Sequence, residues 1–218
     1  MAKEFLVIGA GRFGSSVART LYRQGYDVMV VDKDEALVQQ ISGEITNAVK
    51  ADATSEASLN ALGIKDFDAV VIAIGDDIQA SIMAAILVVE MGAKKTLAKA
   101  QNEIQGKVLS KIGINKVVFP ERDMGQKLAH SLIAPTIIDM IELSDYYSVV
   151  EVSAPEEMIG QTLLKLNLRA RYGVSVIALR RNNGGQTIIS PVAEDLIEAD
   201  DIIVAIGENK QLKKLGWI

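Results

Sequence analysis

Three glycines and one carboxylate carry the first chemistry that can be read from this chain. In Phe5-Leu6-Val7-Ile8-Gly9-Ala10-Gly11-Arg12-Phe13-Gly14 an apolar run enters a G-x-G-x-x-G string, and a helical pattern of Val17, Ala18, Leu21 and Tyr22 follows at once. That strand-to-helix context is what the string needs in order to receive a phosphate. Gly9 allows the tight turn, Gly11 removes the Cβ that would hold a phosphate off the backbone, and Gly14 lets the helix lie close on the strand. The helix start then offers unpaired N–H groups and a positive dipole end to an anion. The next apolar run, Val28-Met29-Val30-Val31, ends in Asp32, eighteen residues beyond Gly14. A carboxylate at that strand tip is placed to accept hydrogen bonds from an adenosine ribose. Its charge also repels a ribose 2′-phosphate, so adenosine nucleotides lacking that group are the expected ligands.

Strands alternating with helices must hold these residues. Glu35–Ile41 has helical spacing with Asp34 as its N-cap, and Asn47–Lys50 reads as a short strand ending in Ala51-Asp52-Ala53-Thr54. Asp52, Thr54 or Ser55 either caps the helix Glu56–Leu62 or, at the third strand tip, approaches the adenine. Phe67 to Gly75 is a fourth strand, apolar almost throughout as a strand covered on both faces should be, with Gly75-Asp76-Asp77 at its tip. The helix from Ile78 to Glu90 is apolar around most of its circumference, which makes its outer side a subunit interface or the whole a buried core helix. Lys94 to Gln101 forms a fifth strand and its tip, where Lys99 is either a cation at the phosphate edge or a solvated lysine. Asn115 to Pro120 completes a sixth, and the alternation predicts an α/β, Rossmann-type, doubly wound parallel sheet.

Pro120-Glu121-Arg122-Asp123-Met124-Gly125 opens another helix, with Pro in the first turn and acids at the positive dipole end. Those carboxylates would equally suit a hard divalent cation. His130, the single His, lies mid-helix and reads as a helix residue rather than a catalytic base. Pro135 and the polar break Ser144-Asp145-Tyr146 mark a change of organisation, giving domains at 1–135 and 136–218. Beyond it come a strand at Tyr147–Val152, a short helix at Gln161–Leu166 and a strand at Gly173–Leu179. An Asn182-Asn183-Gly184-Gly185 hairpin turn, a strand at Thr187–Ile189 and a last strand at Asp201–Gly207 follow, together a small α+β module.

Bulk properties remove whole classes of function. With 218 residues, 49% hydrophobic content and a mean hydropathy of +0.22, the chain has ample material for packed cores. A net charge of −5, with no Lys/Arg cluster interleaved with aromatics, argues against a nucleic-acid surface. The absence of Cys excludes thiol chemistry and thiolate metal sites. Apolar runs such as Ile82 to Val89 fall far short of the roughly 18 residues a bilayer crossing requires, and no secretory leader is evident, so a cytoplasmic protein is expected.

Two function classes then compete. An NAD-dependent oxidoreductase would use the glycine string and Asp32, but hydride transfer also needs a group to handle a proton. The small module holds no His or Cys, and no Tyr is followed four residues later by Lys, so the chain is poorly equipped for it. The other class is a ligand-sensing module: a nucleotide domain assembling through an apolar helix and joined to a second binding domain. Here the chain resembles the RCK (regulator of potassium conductance) proteins, the cytosolic regulatory subunits of bacterial potassium uptake systems of the Ktr and Trk type. The resemblance is carried by Val7 to Gly14, by Val70 to Gly75 with Asp76 to Ser81, and by Lys99-Ala100-Gln101-Asn102. Pro120-Glu121-Arg122-Asp123-Met124-Gly125 and the run Leu166 to Gly173 extend it over essentially the whole chain.

The resemblance implies an RCK N-domain followed by a small α+β RCK C-domain, with no enzymatic activity. It implies dimers assembling into an octameric ring on the cytoplasmic face of a membrane potassium-translocating subunit, gated by ATP versus ADP and able also to hold NAD or NADH. Gly9, Gly11, Phe13, Gly14, Asp32 and Lys33 would hold the nucleotide, with Asp52, Ala53, Ile74, Gly75, Asp76, Lys99, Ala100 and Gln101 around it. Arg12 would read the distal phosphate across a subunit interface, where a guanidinium fork suits phosphate oxygens. Glu121 would be the acid near the phosphates, associated with Mg2+ or another divalent cation. In the C-domain, cyclic di-AMP would lie against Leu163, Leu164, Leu168, Val176 and Ile177, with Arg169 and Ala170 at its phosphates, Asn167 also in the site, Ser175 beside its base and Pro191 closing the site. The alternative for those leucines is a plain dimer core.

Overall fold

The structure, a computed structural model, describes residues 3–133, 137–181 and 185–218. Contacts divide the chain into two compact units, one ending at Arg122 and one beginning at Asp123, whereas the polar break had placed the division near residue 135. Each unit is described separately.

The first unit runs β1 (Glu4–Ile8), α1 (Arg12–Arg23), β2 (Asp27–Asp32), α2 (Glu35–Ile41), β3 (Asn47–Lys50) and α3 (Glu56–Leu62). It continues with β4 (Ala69–Ile72), α4 (Ile78–Glu90), β5 (Thr96–Lys99), α5 (Glu103–Ile112) and β6 (Lys116–Val118). The six strands are all parallel in the order β3-β2-β1-β4-β5-β6. The chain leaves β1 to one side and returns to its other side at β4, so a crevice opens between these two strands at their carboxyl ends. All four residues of β4 are buried, which is why its sequence lacks alternation. Two apolar cores flank the sheet, one around Leu6, Ile8, Ile72 and Leu109 and the other around Val7, Val28, Val30 and Ile41. Helix α4 buries Ser81, Ala84, Ala85 and Val88 while Met83 stays 46% exposed, so it is not a helix buried all round.

The second unit contains most of α6 (Pro120–Ile133), then β7 (Ile137–Glu142), β8 (Tyr147–Ser153), α7 (Leu163–Leu166) and α8 (Leu168–Tyr172). It ends with β9 (Ser175–Arg180), β10 (Thr187–Ile189), β11 (Ile202–Glu208) and α9 (Asn209–Lys214). Among the described residues its strands form one antiparallel sheet in the order β10-β9-β11-β8-β7. Alternate residues of β8 and β11 are buried, the pattern of a sheet with one face on a core. That core gathers Val152, Leu179, Ile203, Leu212 and Trp217. Asp201, 1% exposed, accepts the Glu198 N–H at 2.8 Å and pairs with Arg181, tying down the turn before β11.

Four elements here differ from the expectation. Strand β7 was not anticipated, because its alternation is broken by Asp139 and Glu142. The short helix begins at Leu163 rather than Gln161, since Thr162 caps it by accepting from the Lys165 N–H. Asn167, at φ 46°, ends that helix in the left-handed region and lets a second helix, α8, start immediately. Helix α9 was likewise not foreseen. Asn182 to Gly184 of the expected hairpin turn, Pro135 and the His130 side chain lie outside the described residues.

Candidate functional site

At the carboxyl ends of the parallel strands lies a cavity of about 370 Å3. Gly9 and Gly11 follow β1, Asp32 and Lys33 end β2, Asp52 and Ala53 follow β3, and Ile74, Gly75 and Asp76 follow β4; all of them line it. Four strand tips thus converge on one crevice, as a parallel sheet with a switch point requires.

Local backbone chemistry explains the turn. Gly9 has φ +105°, a conformation that side chains disfavour, and a Cβ there would stand 2.9 Å from the Ala73 carbonyl carbon. A Cβ on Gly14 would be 1.9 Å from the Gly9 oxygen, so only glycine lets α1 approach β1 this closely. At Gly11 a Cβ would meet nothing within 4 Å, so close packing of the protein does not explain that glycine. Helices α2, α3, α4 and α5 each carry a side-chain acceptor at the N-cap: Asp34, Ser55, Asp77 and Asn102. Helix α1 starts on Gly11 with no side-chain cap. Its first-turn amides therefore face the glycine turn without the internal acceptor its neighbours have.

Asp32 is fixed by the backbone. Its Oδ2 accepts the Ala10 N–H at 2.6 Å and its Oδ1 the Asp34 N–H at 2.8 Å, which leaves remaining lone pairs for a sugar hydroxyl. Asp52 Oδ1 accepts both the Thr54 N–H (2.9 Å) and the Thr54 hydroxyl (2.7 Å), and these bonds lower its pKa. Of the capping alternatives, Ser55 caps α3, while Asp52 holds its own turn and still borders the cavity.

Two of the cations, Arg12 and Lys99, lie off the cavity wall, whereas Lys33 is on it. Arg12, Phe13, Gly14, Lys99, Ala100, Gln101 and Glu121 do not line it. Lys99 is nevertheless adjacent, since its Nζ is 3.5 Å from where a Gly75 Cβ would be. That ammonium, on a side chain only 12% exposed, is bound by Glu121 Oε1 at 2.6 Å. The Lys99 hydrogen bond is the main cause of Glu121's lowered pKa, followed by its own backbone N–H, with the charges of Lys99 and Arg12 assisting. Among the described residues no group of three or more His, Cys, Asp or Glu side chains could hold a metal ion. Glu121 alone would hold a divalent cation only together with phosphate oxygens, the way Mg2+ is commonly bound.

The second unit has a cavity of about 360 Å3 between α7, α8 and the start of β9. Leu163, Leu164, Asn167, Leu168, Arg169, Ser175, Val176 and Pro191 line it, whereas Ala170 and Ile177 do not. Leu164 is 66% exposed and Val192 59%, so the wall is apolar and open. Sequence reasoning missed Val174, Val192 and Ala193 here, and Leu37, Ala73 and Ala80 in the first cavity. For the first cavity a signal was available: Ala73 directly follows a strand, and Leu37 and Ala80 lie three residues beyond the N-caps Asp34 and Asp77. Nothing in the spacing marks Pro191 to Ala193, which lie in a loop.

Fold and cavity together define a Rossmann-type domain joined to a small antiparallel domain. The TrkA-N domain family matches residues 5–120 and the TrkA-C domain family residues 148–216. The chain is 43% identical over 207 residues to Ktr system potassium uptake protein C of Bacillus subtilis (strain 168), covering 95% of this chain and 93% of that protein. It is 41% identical to Ktr system potassium uptake protein A of the same organism, covering 97% and 95%. A solved structure described as the GsuK channel bound to NAD superposes with a TM-score of 0.71 at 18% identity, over 97% of this chain and 38% of that longer one. The protein belongs to the TrkA-N/TrkA-C family of RCK proteins, beside the Ktr potassium uptake proteins. In this family the Rossmann fold serves regulation rather than catalysis, and the oxidoreductase alternative is set aside. Among the described residues no helix is long and apolar enough to cross a membrane.

Proposed function

We propose that this protein is the cytosolic, nucleotide-sensing subunit of a bacterial potassium uptake system. On this reading residues 1–135 bind adenine nucleotides at the first cavity, with ATP and ADP as opposing signals and NAD or NADH as further occupants. Residues 136–218 bind cyclic di-AMP at the second. Dimers assemble into an octameric ring at the cytoplasmic face of a membrane potassium-translocating subunit and set its opening. Potassium uptake enters through the relatives, which carry that description over nearly their whole length.

The observation that carries the nucleotide reading is the pairing of an uncapped helix start with a fixed carboxylate. Helix α1 presents its first-turn amides at Gly11, and Asp32 is held beside the same turn by the Ala10 N–H at 2.6 Å. One end suits phosphate and the other a ribose. The open, apolar second cavity, with Arg169 at its edge, supports a ligand with bases to bury and phosphates to pair.

Regulation needs a ligand that binds one ring shape better than the other; equal affinity for both shifts nothing. Arg12, exposed at the start of α1, is the group assigned to the distal phosphate. Arg12→Ala should retain adenosine binding while abolishing the difference that ATP and ADP make to particle shape in solution scattering; a persisting difference rejects that role. Native mass spectrometry of the purified protein should find adenine nucleotide in an assembly of identical subunits. A monomer indifferent to adenine compounds would end the reading.

A further inference from the structure

One wall of the second cavity is a loop, Pro191-Val192-Ala193, and hydrogen bonds hold it at both ends. Before it, Ser190 sits at φ 53°, a left-handed conformation that side chains seldom adopt, and its N–H donates to the Ile177 carbonyl of β9 at 2.9 Å. After it, residues 192–195 make a tight turn that is closed twice. The Asp195 N–H donates to the Val192 carbonyl at 3.1 Å, and Asp195 Oδ2 accepts the Val192 N–H at 2.7 Å. The turn is docked on α7: the Asp195 carbonyl accepts the Leu163 N–H at 3.0 Å and the Ala193 carbonyl the Leu164 N–H at 2.8 Å. With Thr162 accepting the Lys165 N–H, these three first-turn amides of α7 are occupied by the protein itself, whereas α1 has no side-chain cap. Leu163 and Leu164 line the cavity too, so the loop is fastened to the residues it faces. Val192 is 59% exposed, so burial does not hold this wall in place; the hydrogen bonds of the turn do.

We propose that Asp195 is a positioning residue of the second cavity: its carboxylate does not line the cavity, but it fixes the turn that presents Pro191, Val192 and Ala193 to the bound molecule. This deepens, and rests on, the reading of that cavity as the cyclic di-AMP site. A wall already formed in the empty protein receives a base without the cost of ordering a loop at the moment of binding. Without the Asp195 bond the loop samples other conformations, and only the fraction in the binding form admits the ligand, so apparent affinity falls by that fraction. The loss falls on association, because no contact with the ligand has been removed. A residue that touched the ligand would act on dissociation instead.

Two measurements on the full chain test this. In hydrogen exchange without ligand, the Val192 amide should be protected in the wild type and in Asp195→Asn, whose side-chain oxygen still accepts from it, and should exchange about tenfold faster in Asp195→Ala. In calorimetry and surface plasmon resonance with cyclic di-AMP, Asp195→Ala should bind about five- to tenfold more weakly, the scale of one net hydrogen bond, with the loss in the association rate. Asp195→Asn should stay within about twofold of the wild type. Urea unfolding read by Trp217 fluorescence confirms an intact core; Glu194→Gly, which loosens the same turn, serves if Asp195→Ala is unstable and should weaken binding by the same route. Undiminished affinity in Asp195→Ala, a loss carried by faster dissociation, or an equal loss in Asp195→Asn overturns the proposal. A wild type that binds no cyclic di-AMP fails the reading of the cavity, whereas unchanged Val192 exchange in Asp195→Ala fails the positioning role by itself, so the two failures are told apart.

Discussion

The two cavities of this protein are similar in size and differ in what builds them. In the first unit, the loops at four parallel strand ends surround a crevice of mixed polar and apolar lining, marked out by a glycine turn, helix-start N–H groups and one fixed carboxylate. In the second, side chains from two short helices and a strand make an open apolar wall, of which Leu164 and Val192 are more than half exposed. The contrast teaches that a backbone-made site constrains its sequence at fixed spacings, whereas a wall of leucines and valines has the composition of any core or interface. The first can be recognised by what glycine permits. The second takes its meaning from what covers it.

Substitutions that separate the units sharpen this comparison, beginning with stability. Asp201→Ala removes the buried one of Arg181's two carboxylate partners, leaving only the half-exposed Glu198 at 3.8 Å, together with the acceptor of the Glu198 N–H, and should cost about 3 kcal/mol. The single Trp, Trp217, is 1% exposed in that unit's core, so urea unfolding followed by Trp fluorescence reads this loss directly. Adenosine binding, proposed for the first unit, should persist; its disappearance would mean that the units cannot be treated separately.

Within the first unit, two glycines of one motif should behave differently. Gly14→Ala forces a Cβ to 1.9 Å from the Gly9 oxygen, and about 1–3 kcal/mol of overpacking should appear in the melting temperature. Gly11→Ala meets no protein atom within 4 Å and should cost less than about 1 kcal/mol as a changed N-cap. On the proposed reading the same methyl group would stand where phosphate approaches, so ADP should weaken more than about tenfold while adenosine moves little. Equal ADP and adenosine losses in Gly11→Ala would break the assignment of this turn to phosphate.

The smallest effect is electrostatic. Thr54 lowers the Asp52 pKa, so the stabilisation is fully present above the unfolded carboxyl value, ordinarily 3.8, and is lost as pH falls through the lower folded value. Thr54→Val removes the hydroxyl bond and keeps the backbone one. The stability gap between it and the wild type should be below about 1 kcal/mol near neutral pH and should shrink in acid. A gap independent of pH would assign it to packing.

Much of this molecule was legible from its residues. Gly9, Gly11, Gly14 and Asp32 announced a strand, turn, helix and strand because each position admits few side chains. Asp34, and Ser55 among its alternatives, could be read as the starts of two helices, since such side chains accept the backbone N–H groups of a first turn; Asp77 and Asn102 do the same in the structure without having been read as caps. These are local effects, acting over a few residues, and the chain order alone carries them. Tertiary structure alone decided that Lys99 faces Glu121, 22 positions away, and that Arg181 is paired to Asp201 in the second core. It also decided that β7 joins the antiparallel sheet despite its interrupted pattern and that residues 191–193 close against α7 and α8. Such juxtapositions depend on how strands order themselves across a sheet, a long-range outcome that spacing along the chain does not encode.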